Sequence, residues 1–448
     1  MKEKLDFKSN LLIGSLLFGL FFGAGNLIFP VQMGQLAGHN TLLATIGFLI
    51  TGVGLPLLGV MASALSQSES LLDMAKPVGK VYSVLFTCML YLTIGPLFAI
   101  PRTATVAFEV GLSPFIAKEQ LSFGLLVFSL IFFAVTLYFS LRPSRILDWV
   151  GRYLTPIFLA LLSILIIATF LKPMGQAGQY AAQGDYIGKP FFKGLLEGYN
   201  TMDALASLAF AVVILSNIEN LGVKNPKRKA IETCKSGFVC VIGMSLIYAS
   251  LAYMGATSLG SVSRAQNGGA VLSMVSEHYF GNTGKILLAA IVTVACLKTA
   301  IGLITSCSQM FSEMFPKSIP YNKYAILFTI LSFIIANFGL NKIIQLSIPV
   351  LMFLYPLAIT LIILSLLSPI LNKQNDVYKW TTVLTAVAAF FDFCNALPEI
   401  IKEMPAISSI IDFAKACLPG FTYGFGWIIP AFIGFIIGTL LWRIQAKR

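Results

Sequence analysis

Long apolar runs separated by short polar connections recur along the whole sequence. An α-helix needs about 20 mainly apolar residues to cross roughly 30 Å of hydrocarbon, and each run is close to that length. The pattern predicts an all-α integral membrane protein of about 12 transmembrane helices. The predicted spans are centred near Phe22, Gly52, Tyr91, Leu130, Ala160, Met202, Met244, Lys298, Leu331, Tyr355, Ala388 and Phe435.

Composition supports this class and the distribution of charge gives an orientation. Hydrophobic residues make up 57% of the chain and charged residues 11%, whereas soluble proteins carry about 25% charged residues. The net charge of +12 does not indicate a nucleic-acid partner, because the Lys and Arg residues lie in short connections between spans. The positive-inside rule then places both termini in the cytoplasm, with the basic segment Lys224–Lys229 as the strongest anchor. The segment could also bind anionic lipid headgroups. We expect a multi-pass protein of a bacterial cell (inner or plasma) membrane, in contact with the lipid bilayer.

No extramembrane domain of useful size is visible, so residues 1–448 are predicted to form one transmembrane domain. The longest polar connections contain some apolar residues, which favours caps or short helices over disordered linkers. These connections are Lys172–Phe192, Leu259–Lys285 and Glu399–Gly420. The first apolar stretch opens at Asn10 and is interpreted as the first membrane helix and not as a cleavable signal.

The first span carries a weak helical stretch at its midpoint. Gly23-Ala24-Gly25-Asn26 is followed closely by Pro30, and glycine costs a helix interior roughly 1 kcal/mol relative to alanine. Unwound backbone at this depth is tolerated only where it is buried in protein or lines a cavity. The segment therefore predicts a functional break. The alternative is a packing groove, because small residues also allow two helices to approach closely.

The sixth span carries a second candidate break, at Tyr199-Asn200-Thr201-Met202-Asp203. Polar residues interrupt the apolar run here, although no Gly or Pro falls between Tyr199 and Ser207. An aspartate at the centre of a membrane helix costs about 2.5–3.5 kcal/mol on insertion scales, so it faces a cavity or a partner. Asp203 could contact substrate or ion, or could have a structural role in capping a half-helix or pairing with a cation.

The two breaks lie five spans apart, so the spans that contain them cross the membrane in opposite directions. This arrangement predicts a 5+5 inverted repeat with the binding site at the interface of the halves. The repeats would be helices 1–5 (about 10–171) and helices 6–10 (about 192–368), with peripheral helices 11–12 (about 379–443). Half-helix N-termini suit a carboxylate and half-helix C-termini suit an ammonium group or sodium. An amino acid zwitterion provides both groups. The predicted substrate-binding residues are Gly23, Ala24, Gly25, Asn26, Tyr199, Asn200, Thr201, Met202 and Asp203.

These segments also carry a family resemblance over essentially the full chain. Residues Gly19–Pro30, residues Gly198–Ala206 and the twelve-span layout resemble bacterial branched-chain amino acid carrier proteins. Those carriers form the leucine-isoleucine-valine:cation symporter family of the amino acid-polyamine-organocation superfamily. More distantly, Gly23–Asn26 is similar to the Gly-Leu-Gly-Asn break in the first helix of sodium-dependent leucine transporters. The resemblance implies a leucine-transporter-type fold with broken helices 1 and 6.

The resemblance implies roles for backbone groups in particular. Amides at the first break, at Ala24 and Gly25, would bind the substrate carboxylate. Carbonyls of Gly19 and Phe22 would help to hold one sodium ion, and Asn26 would ligate a second. Hydroxyl residues of the eighth helix would complete the first sodium site. The candidates are Thr299, Thr305 and Ser306.

Lys298 departs from the family pattern, because it places an amine at the middle of the eighth span. A lysine amine can stand where a sodium ion would, or can carry a proton, which makes Lys298 a candidate for coupling. It could instead point away from the site toward an acid such as Asp203 or Glu219.

The expected function is secondary active import of leucine, isoleucine and valine, coupled to sodium by alternating access. An apolar pocket discriminates by only about 1–3 kcal/mol per methylene, so one carrier can serve all three. The candidate pocket residues are Phe21, Phe22, Tyr199, Met202 and Leu205. The alternative is a proton-coupled or sodium-independent carrier of another neutral amino acid. A membrane-embedded enzyme is a remote alternative, because no catalytic motif is visible and only two histidines exist. No catalytic residue and no organic cofactor are expected, and the oligomeric state stays open.

Overall fold

The computed structural model describes residues 4–68, 70–371 and 373–445, and within these ranges the chain forms helices and connections without a strand. The α-helices are α1 Phe7–Phe21, α2 Ala24–Ala37, α3 Thr41–Leu49, α4 Leu55–Leu65, α5 Leu71–Ala75, α6 Lys80–Leu92, α7 Ala99–Gly111, α8 Leu121–Ser140, α9 Thr155–Leu171, α10 Pro190–Asn200, α11 Asp203–Asn220, α12 Pro226–Ser258, α13 Gly268–Met314, α14 Tyr321–Ala336, α15 Leu340–Leu366, α16 Ser368–Leu371, α17 Asn375–Asn395, α18 Glu399–Lys402, α19 Pro405–Cys417 and α20 Ile428–Gln445.

Shorter helical turns join several of these helices. The π-helical segments are Ile50–Gly54, Thr93–Leu97 and Leu147–Leu154. The 3₁₀ segments are Gly38–Asn40, Ser113–Phe115, Lys118–Gln120, Pro143–Arg145, Gly184–Tyr186 and Phe421–Tyr423.

The helices account for the span pattern predicted from the sequence. In the described ranges, nine helical stretches are long and apolar enough to cross a membrane. Helix α1 is shorter because its span is broken before α2, and α14 is a further short apolar helix. Each predicted span centre falls within a helix, within a π-helical segment or at a break between two helices. The sixth span is α10 with α11, the third is α6 with α7, and the eighth is the part of α13 after Gly281.

The spans differ in how much protein surrounds them. In the most apolar window of α11 and of α15, 67% of the residues are buried, against 17% in α20. The exposed residues of the outer helices are large and apolar, as shown by Leu130 and Ile131 on α8 and Phe432 on α20. Such a surface suits contact with lipid, in which apolar groups need no cover. Helix α11 therefore lies at the centre of the bundle and α20 at its edge.

Small residues allow the first and seventh spans to pack closely. A Cβ atom added to Gly34 of α2 would lie 2.0 Å from the carbonyl oxygen of Ala252 on α12. The reverse contact is equally close, because a Cβ on Gly255 would lie 2.0 Å from the carbonyl oxygen of Val31. Glycine at both positions is therefore required for this approach, as in other membrane helix pairs.

The third span is distorted between its two helices, α6 and α7. Segment Thr93–Leu97 is a π-helical turn, and Gly95 within it has non-helical backbone angles (φ −94°, ψ −129°). Single π turns often mark functional sites because they change the direction of the side chains that follow. Helix α7 begins two residues after this turn and carries Arg102.

The three long polar connections differ in structure. Residues 399–420 contain the short helices α18 and α19, as predicted. The connection after α12 leads into the first turns of α13, which bends at Gly281 (φ 57°, ψ −140°). This positive φ is one that glycine adopts without steric cost. The connection before α10 is mostly irregular, with one 3₁₀ turn at Gly184–Tyr186.

Candidate functional site

The first break separates α1, which ends at Phe21, from α2, which begins at Ala24. The backbone N–H of Gly23 donates to Asn26 Oδ1 at 2.9 Å, so the side chain of Asn26 caps the start of α2. A Cβ atom on Gly23 would lie 2.9 Å from Thr299 Oγ1. Glycine is therefore needed at this position because the eighth span approaches the unwound backbone.

The carbonyl groups at the end of α1 are satisfied by the eighth span. Lys298 Nζ donates to the carbonyl oxygen of Phe22 at 2.5 Å and to that of Gly19 at 3.2 Å. Thr299 Oγ1 donates to the carbonyl oxygen of Leu20 at 3.3 Å. Lys298 is completely buried, and its amine lies 4.5 Å from the centre of the Phe158 ring. The two carbonyl groups predicted to hold sodium thus accept hydrogen bonds from the amine of a lysine.

The second break separates α10, which ends at Asn200, from α11, which begins at Asp203. Met202 between them has left-handed backbone angles (φ 66°, ψ 8°). A residue other than glycine pays about 1–2 kcal/mol for this conformation, so the surrounding structure must hold it. The position of the break agrees with the prediction, although the chain contains no glycine here.

Side chains from two other spans hold the carbonyl groups at the end of α10. Arg102 Nη1 donates to the carbonyl oxygen of Asn200 at 3.0 Å, and Arg102 Nη2 donates to that of Thr201 at 3.3 Å. Tyr355 donates its hydroxyl hydrogen to the carbonyl oxygen of Tyr199 at 2.5 Å. A helix that ends inside a membrane protein needs such partners, because no solvent satisfies its last carbonyl groups.

Polar side chains connect the two half-helices that follow the breaks. Asn26, in the first turn of α2, donates through Nδ2 to Asp203 Oδ2 and is also bonded to the Tyr248 hydroxyl. The Tyr248 hydroxyl in turn donates to Asp203 Oδ2 at 3.2 Å. Asp203 is the first residue of α11. The N-termini of α2 and α11 therefore meet at one buried carboxylate.

A cavity of about 30 Å³ lies between the breaks. This volume corresponds to roughly one water molecule, so an amino acid can enter only if the surrounding helices move apart. Polar groups line one part of the cavity and apolar side chains the rest. The lining residues are Leu20, Phe21, Gly23, Gly25, Asn26, Ile94, Ala99, Arg102, Thr103, Thr201, Met202, Asp203, Ala206, Phe210, Thr299 and Leu303.

Further space follows α11 away from the breaks. A narrow space is lined by Ala209 and Val213 of α11 together with Ser306 of α13. Beyond it, a cavity of about 360 Å³ is lined by Ser216 and Glu219 of α11 and by residues of α4, α12 and α13. The larger cavity also contacts Lys229 of the basic segment, which the charge pattern places in the cytoplasm. These spaces follow one face of α11 from the break to its end.

Comparison with known proteins identifies the family. A family model described as branched-chain amino acid transport protein matches residues 6–445. The branched-chain amino acid permease BrnQ of Lactobacillus delbrueckii subsp. lactis is 47% identical over 449 residues, which cover 100% of both chains. The branched-chain amino acid permease BraB of Bacillus subtilis (strain 168) is 44% identical, covering 98% of this chain and 97% of that one. The chain belongs to the branched-chain amino acid transport protein family. This family consists of transporters, and the chain is a multi-pass membrane protein.

Solved structures show that this branched-chain transport family member has the leucine-transporter-type fold. One match is Mhp1, a nucleobase-cation-symport-1 family transporter, in a closed conformation with bromovinylhydantoin bound. It has a TM-score of 0.62 at 15% identity and covers 98% of this chain and 92% of that one. Another is MhsT in complex with L-phenylalanine, with a TM-score of 0.57 at 14% identity and coverage of 98% and 100%. The predicted family, the all-helical fold and the broken first and sixth helices are confirmed.

The structure brings most of the predicted site residues of this family member together. Gly23, Gly25, Asn26, Thr201, Met202, Asp203 and Thr299 line the cavity. Tyr199 and Asn200 lie beside it and present their carbonyl oxygens to Tyr355 and Arg102. Ala24 is the first residue of α2, and its side chain lies outside the described part of the chain. Of the candidate pocket residues, Phe21 and Met202 line the cavity, whereas Phe22, Tyr199 and Leu205 do not.

Two of the sodium candidates are not brought to the first break. Thr305 and Ser306 lie six and seven residues beyond Thr299 on α13, which corresponds to about 9–10 Å along a helix. Their buried hydroxyl groups have no hydrogen-bond partner among the described residues. They cannot ligate one ion together with the carbonyls of Gly19 and Phe22, because such an ion needs its ligands within about 2.5 Å. The spacing on the helix thus separates them from the cluster that contains Thr299.

Sequence reasoning missed several residues of the site, and Arg102 and Tyr248 are the two that make its polar contacts with predicted residues of both breaks. Arg102 lines the cavity and Tyr248 contacts both Asn26 and Asp203. Arg102 carried a usable signal, because an arginine within an apolar span faces a cavity or a partner by default. Tyr248 carried none, because a tyrosine in a membrane helix is common and its partner Asp203 lies 45 residues away.

Proposed function

We propose that this protein is a secondary active importer of L-leucine, L-isoleucine and L-valine that works by alternating access. The observation that carries the proposal is the meeting of two half-helix N-termini and the Asp203 carboxylate at one buried cavity. The names of its relatives, which are branched-chain amino acid permeases, support the same substrate class. In this proposal the protein lies in the bacterial cell membrane with both termini in the cytoplasm, and it leaves the substrate chemically unchanged.

The polar groups of the cavity suit the two charges of an amino acid. Free N–H groups at the start of α2 favour a carboxylate, because the helix dipole is positive at that end. The carboxylate of Asp203 favours an ammonium group, with which it can form a charge-assisted hydrogen bond. The apolar side chains of Phe21, Phe210 and Leu303 on the same cavity can contact an aliphatic side chain. A branched-chain amino acid satisfies all three sets of groups.

The larger cavity beside α11 suits release of the substrate. It lies at the end of α11 that also contacts Lys229, on the side that the charge pattern assigns to the cytoplasm. The narrow space at Ala209 and Val213 lies between it and the site. Separation of α11 from α13 along this line would open the site to the cytoplasm, as alternating access requires.

Two ions are candidates for coupling. Sodium is the first, held by carbonyls of Gly19 and Phe22 with Thr299, and by Asn26 beside the substrate. A proton carried by Lys298 is the second, and the position of its amine on those same two carbonyls favours it. Two unit charges 4 Å apart repel by about 4 kcal/mol at an effective dielectric constant of 20. Sodium could therefore occupy these carbonyls only after Lys298 has lost its proton or moved.

Uptake of radiolabelled leucine into proteoliposomes tests the substrate and the ion separately. A sodium gradient and a proton gradient are imposed one at a time, with the membrane potential clamped by potassium and valinomycin. Accumulation driven by sodium alone supports the first candidate, and accumulation driven by a proton gradient alone supports the second. Competition by unlabelled leucine, isoleucine, valine and alanine then defines the substrate class. If alanine competes as well as leucine, the carrier serves other neutral amino acids, and if no leucine accumulates, the proposed function is wrong.

A further inference from the structure

We propose that Arg102 binds the carboxylate of the transported amino acid, in addition to holding the end of α10. This inference rests on the proposed function, because it concerns recognition of the same substrate at the same cavity. In this proposal, the Arg102 guanidinium group and the backbone amides in the first turn of α2 bind the same substrate carboxylate. Asp203 would then take the ammonium group.

The first argument is that Arg102 carries a buried charge with no direct ion pair among the described residues. The residue is only 5% exposed, yet the ion pairs of the described residues do not include it. Its hydrogen bonds go to two neutral carbonyl oxygens, and its guanidinium lies 5.6 Å from the centre of the Phe29 ring. Asp203 lines the same cavity and attracts the guanidinium, but the two groups form no direct ion pair, and a buried charge at membrane depth faces a cavity or a partner. A carboxylate that arrives with the substrate would give the guanidinium a direct ion-pair partner.

The second argument is the direction of the guanidinium. A Cβ atom on Gly25 would lie 3.1 Å from Arg102 Nη2, so the guanidinium lies directly beside the first turn of α2. The free amides of that turn border the same cavity. Arginine has five N–H donors in a planar fork that matches a carboxylate, and the two carbonyl bonds leave donors available. One carboxylate can thus receive hydrogen bonds from both groups.

The third argument is the contrast with the other buried cation. Lys298 is completely buried, but it does not line the cavity, and its amine faces carbonyl groups and aromatic rings. Arg102 lines the cavity together with Asn26 and Asp203. Among the described residues, Arg102 is therefore the cation placed to meet the substrate carboxylate. Lys298 is placed to meet the end of α1.

The competing interpretation is that Arg102 only caps α10, as Tyr355 does. The two interpretations differ in their effect on selectivity for a carboxylate. The experiment measures competition of L-leucine and of L-leucinamide, which lacks the carboxylate charge, against radiolabelled leucine bound to the purified full-length protein. The ratio of the two inhibition constants is compared among wild type, Arg102→Gln, Arg102→Lys and Tyr355→Phe.

If Arg102 binds the carboxylate, Arg102→Gln lowers the preference for leucine over leucinamide by 10-fold or more. Arg102→Lys, which keeps the charge but loses the planar fork, lowers it by several-fold and serves if the Gln variant does not fold. Tyr355→Phe weakens both ligands alike and leaves the ratio unchanged. Unchanged ratios in both Arg102 variants would overturn the inference while leaving the proposed function intact. Absence of leucine binding by the wild type would instead overturn the proposed function, and this inference with it.

Discussion

Both breaks end a helix inside the bundle, but different residues hold the two helix ends in place. At the first, glycine permits the eighth span to touch the unwound backbone, and Lys298 supplies the ammonium that holds the end of α1. At the second, Met202 adopts a left-handed conformation without glycine, and Arg102 and Tyr355 hold the end of α10. The first break thus depends on a missing side chain at Gly23 together with Lys298, and the second on the side chains of Arg102 and Tyr355.

The two breaks also share a pattern in which span supplies the basic side chain that holds the helix end. The eighth span contributes the cation at the break of the first, and the third span contributes the cation at the break of the sixth. Each pair of corresponding spans, first with sixth and third with eighth, is five helices apart. This correspondence is what the inverted repeat of five helices leads us to expect, and the repeat itself stays a prediction. A negative helix end at membrane depth needs a positive partner, and the two halves supply it in the same way.

The largest expected effect comes from adding a side chain at the first break. Gly25→Val would place atoms within about 3.1 Å of Arg102 Nη2 and of the Phe29 ring. We expect leucine affinity to fall at least 100-fold, which is about 2.7 kcal/mol, because the amides of α2 are blocked and Arg102 is displaced. Equilibrium binding of radiolabelled leucine measures this loss.

The matched control for this variant is Gly188→Val. A Cβ atom at Gly188 meets no other atom within 4 Å, and the residue lies in the exposed connection before α10. We expect wild-type leucine binding for the control. Normal binding by Gly25→Val as well would mean that the first break is only a packing groove and that the substrate binds elsewhere.

A smaller loss of leucine affinity is expected when the second break keeps its shape but loses the Asp203 carboxylate. Asp203→Asn retains a side chain that can bond to Asn26 and Tyr248 but removes the negative charge offered to an ammonium group. Because a hydrogen bond to a charged group contributes about 1.5–3 kcal/mol, affinity should fall roughly 10- to 100-fold. Tyr248→Phe, which removes only the supporting hydroxyl, should cost less. Equal affinities for Asp203→Asn and wild type, measured by the same binding assay, would show that Asp203 has only a structural role.

Lys298, the basic residue at the first break, should affect which ion drives uptake more than it affects the affinity for leucine. Lys298→Met removes the amine from the carbonyls of Gly19 and Phe22 and retains most of the length of the side chain. We expect the ion dependence of leucine uptake to change, with loss of any proton-driven component. Uptake under separately imposed sodium and proton gradients measures this change. A variant with unaltered ion dependence and affinity would show that Lys298 only supports the structure.

The smallest effect is expected from one hydroxyl group at the second break. Tyr355→Phe removes the hydrogen bond to the carbonyl oxygen of Tyr199, which should lower stability by about 1 kcal/mol. Tyr378→Phe removes an equivalent buried bond to the carbonyl oxygen of Leu364, away from the breaks. We expect similar shifts of the melting temperature in detergent, but reduced leucine affinity only for Tyr355→Phe. Equal affinities in the two variants would argue against a role of this bond in shaping the site.

The sequence by itself determined the properties that depend on local composition. The number and order of the spans follow from apolar runs of sufficient length, because the hydrocarbon core sets that length. The break at Gly23 follows from the low helix propensity of its neighbours, and the break near Asp203 from the cost of a charge inside the membrane. These properties need no knowledge of which helices are neighbours, so they could be predicted from residue types and spacing.

Only the tertiary structure decided which side chains meet at the breaks. Lys298 and Gly19 are 279 residues apart in the chain, and Arg102 and Asn200 are 98 apart. Thr305 and Ser306 resemble Thr299 in chemistry, but the pitch of α13 carries them away from the first break. The choice of partners depends on how the spans pack and rotate against one another. That packing arises from contacts summed over the whole bundle, and no local segment of the sequence specifies it.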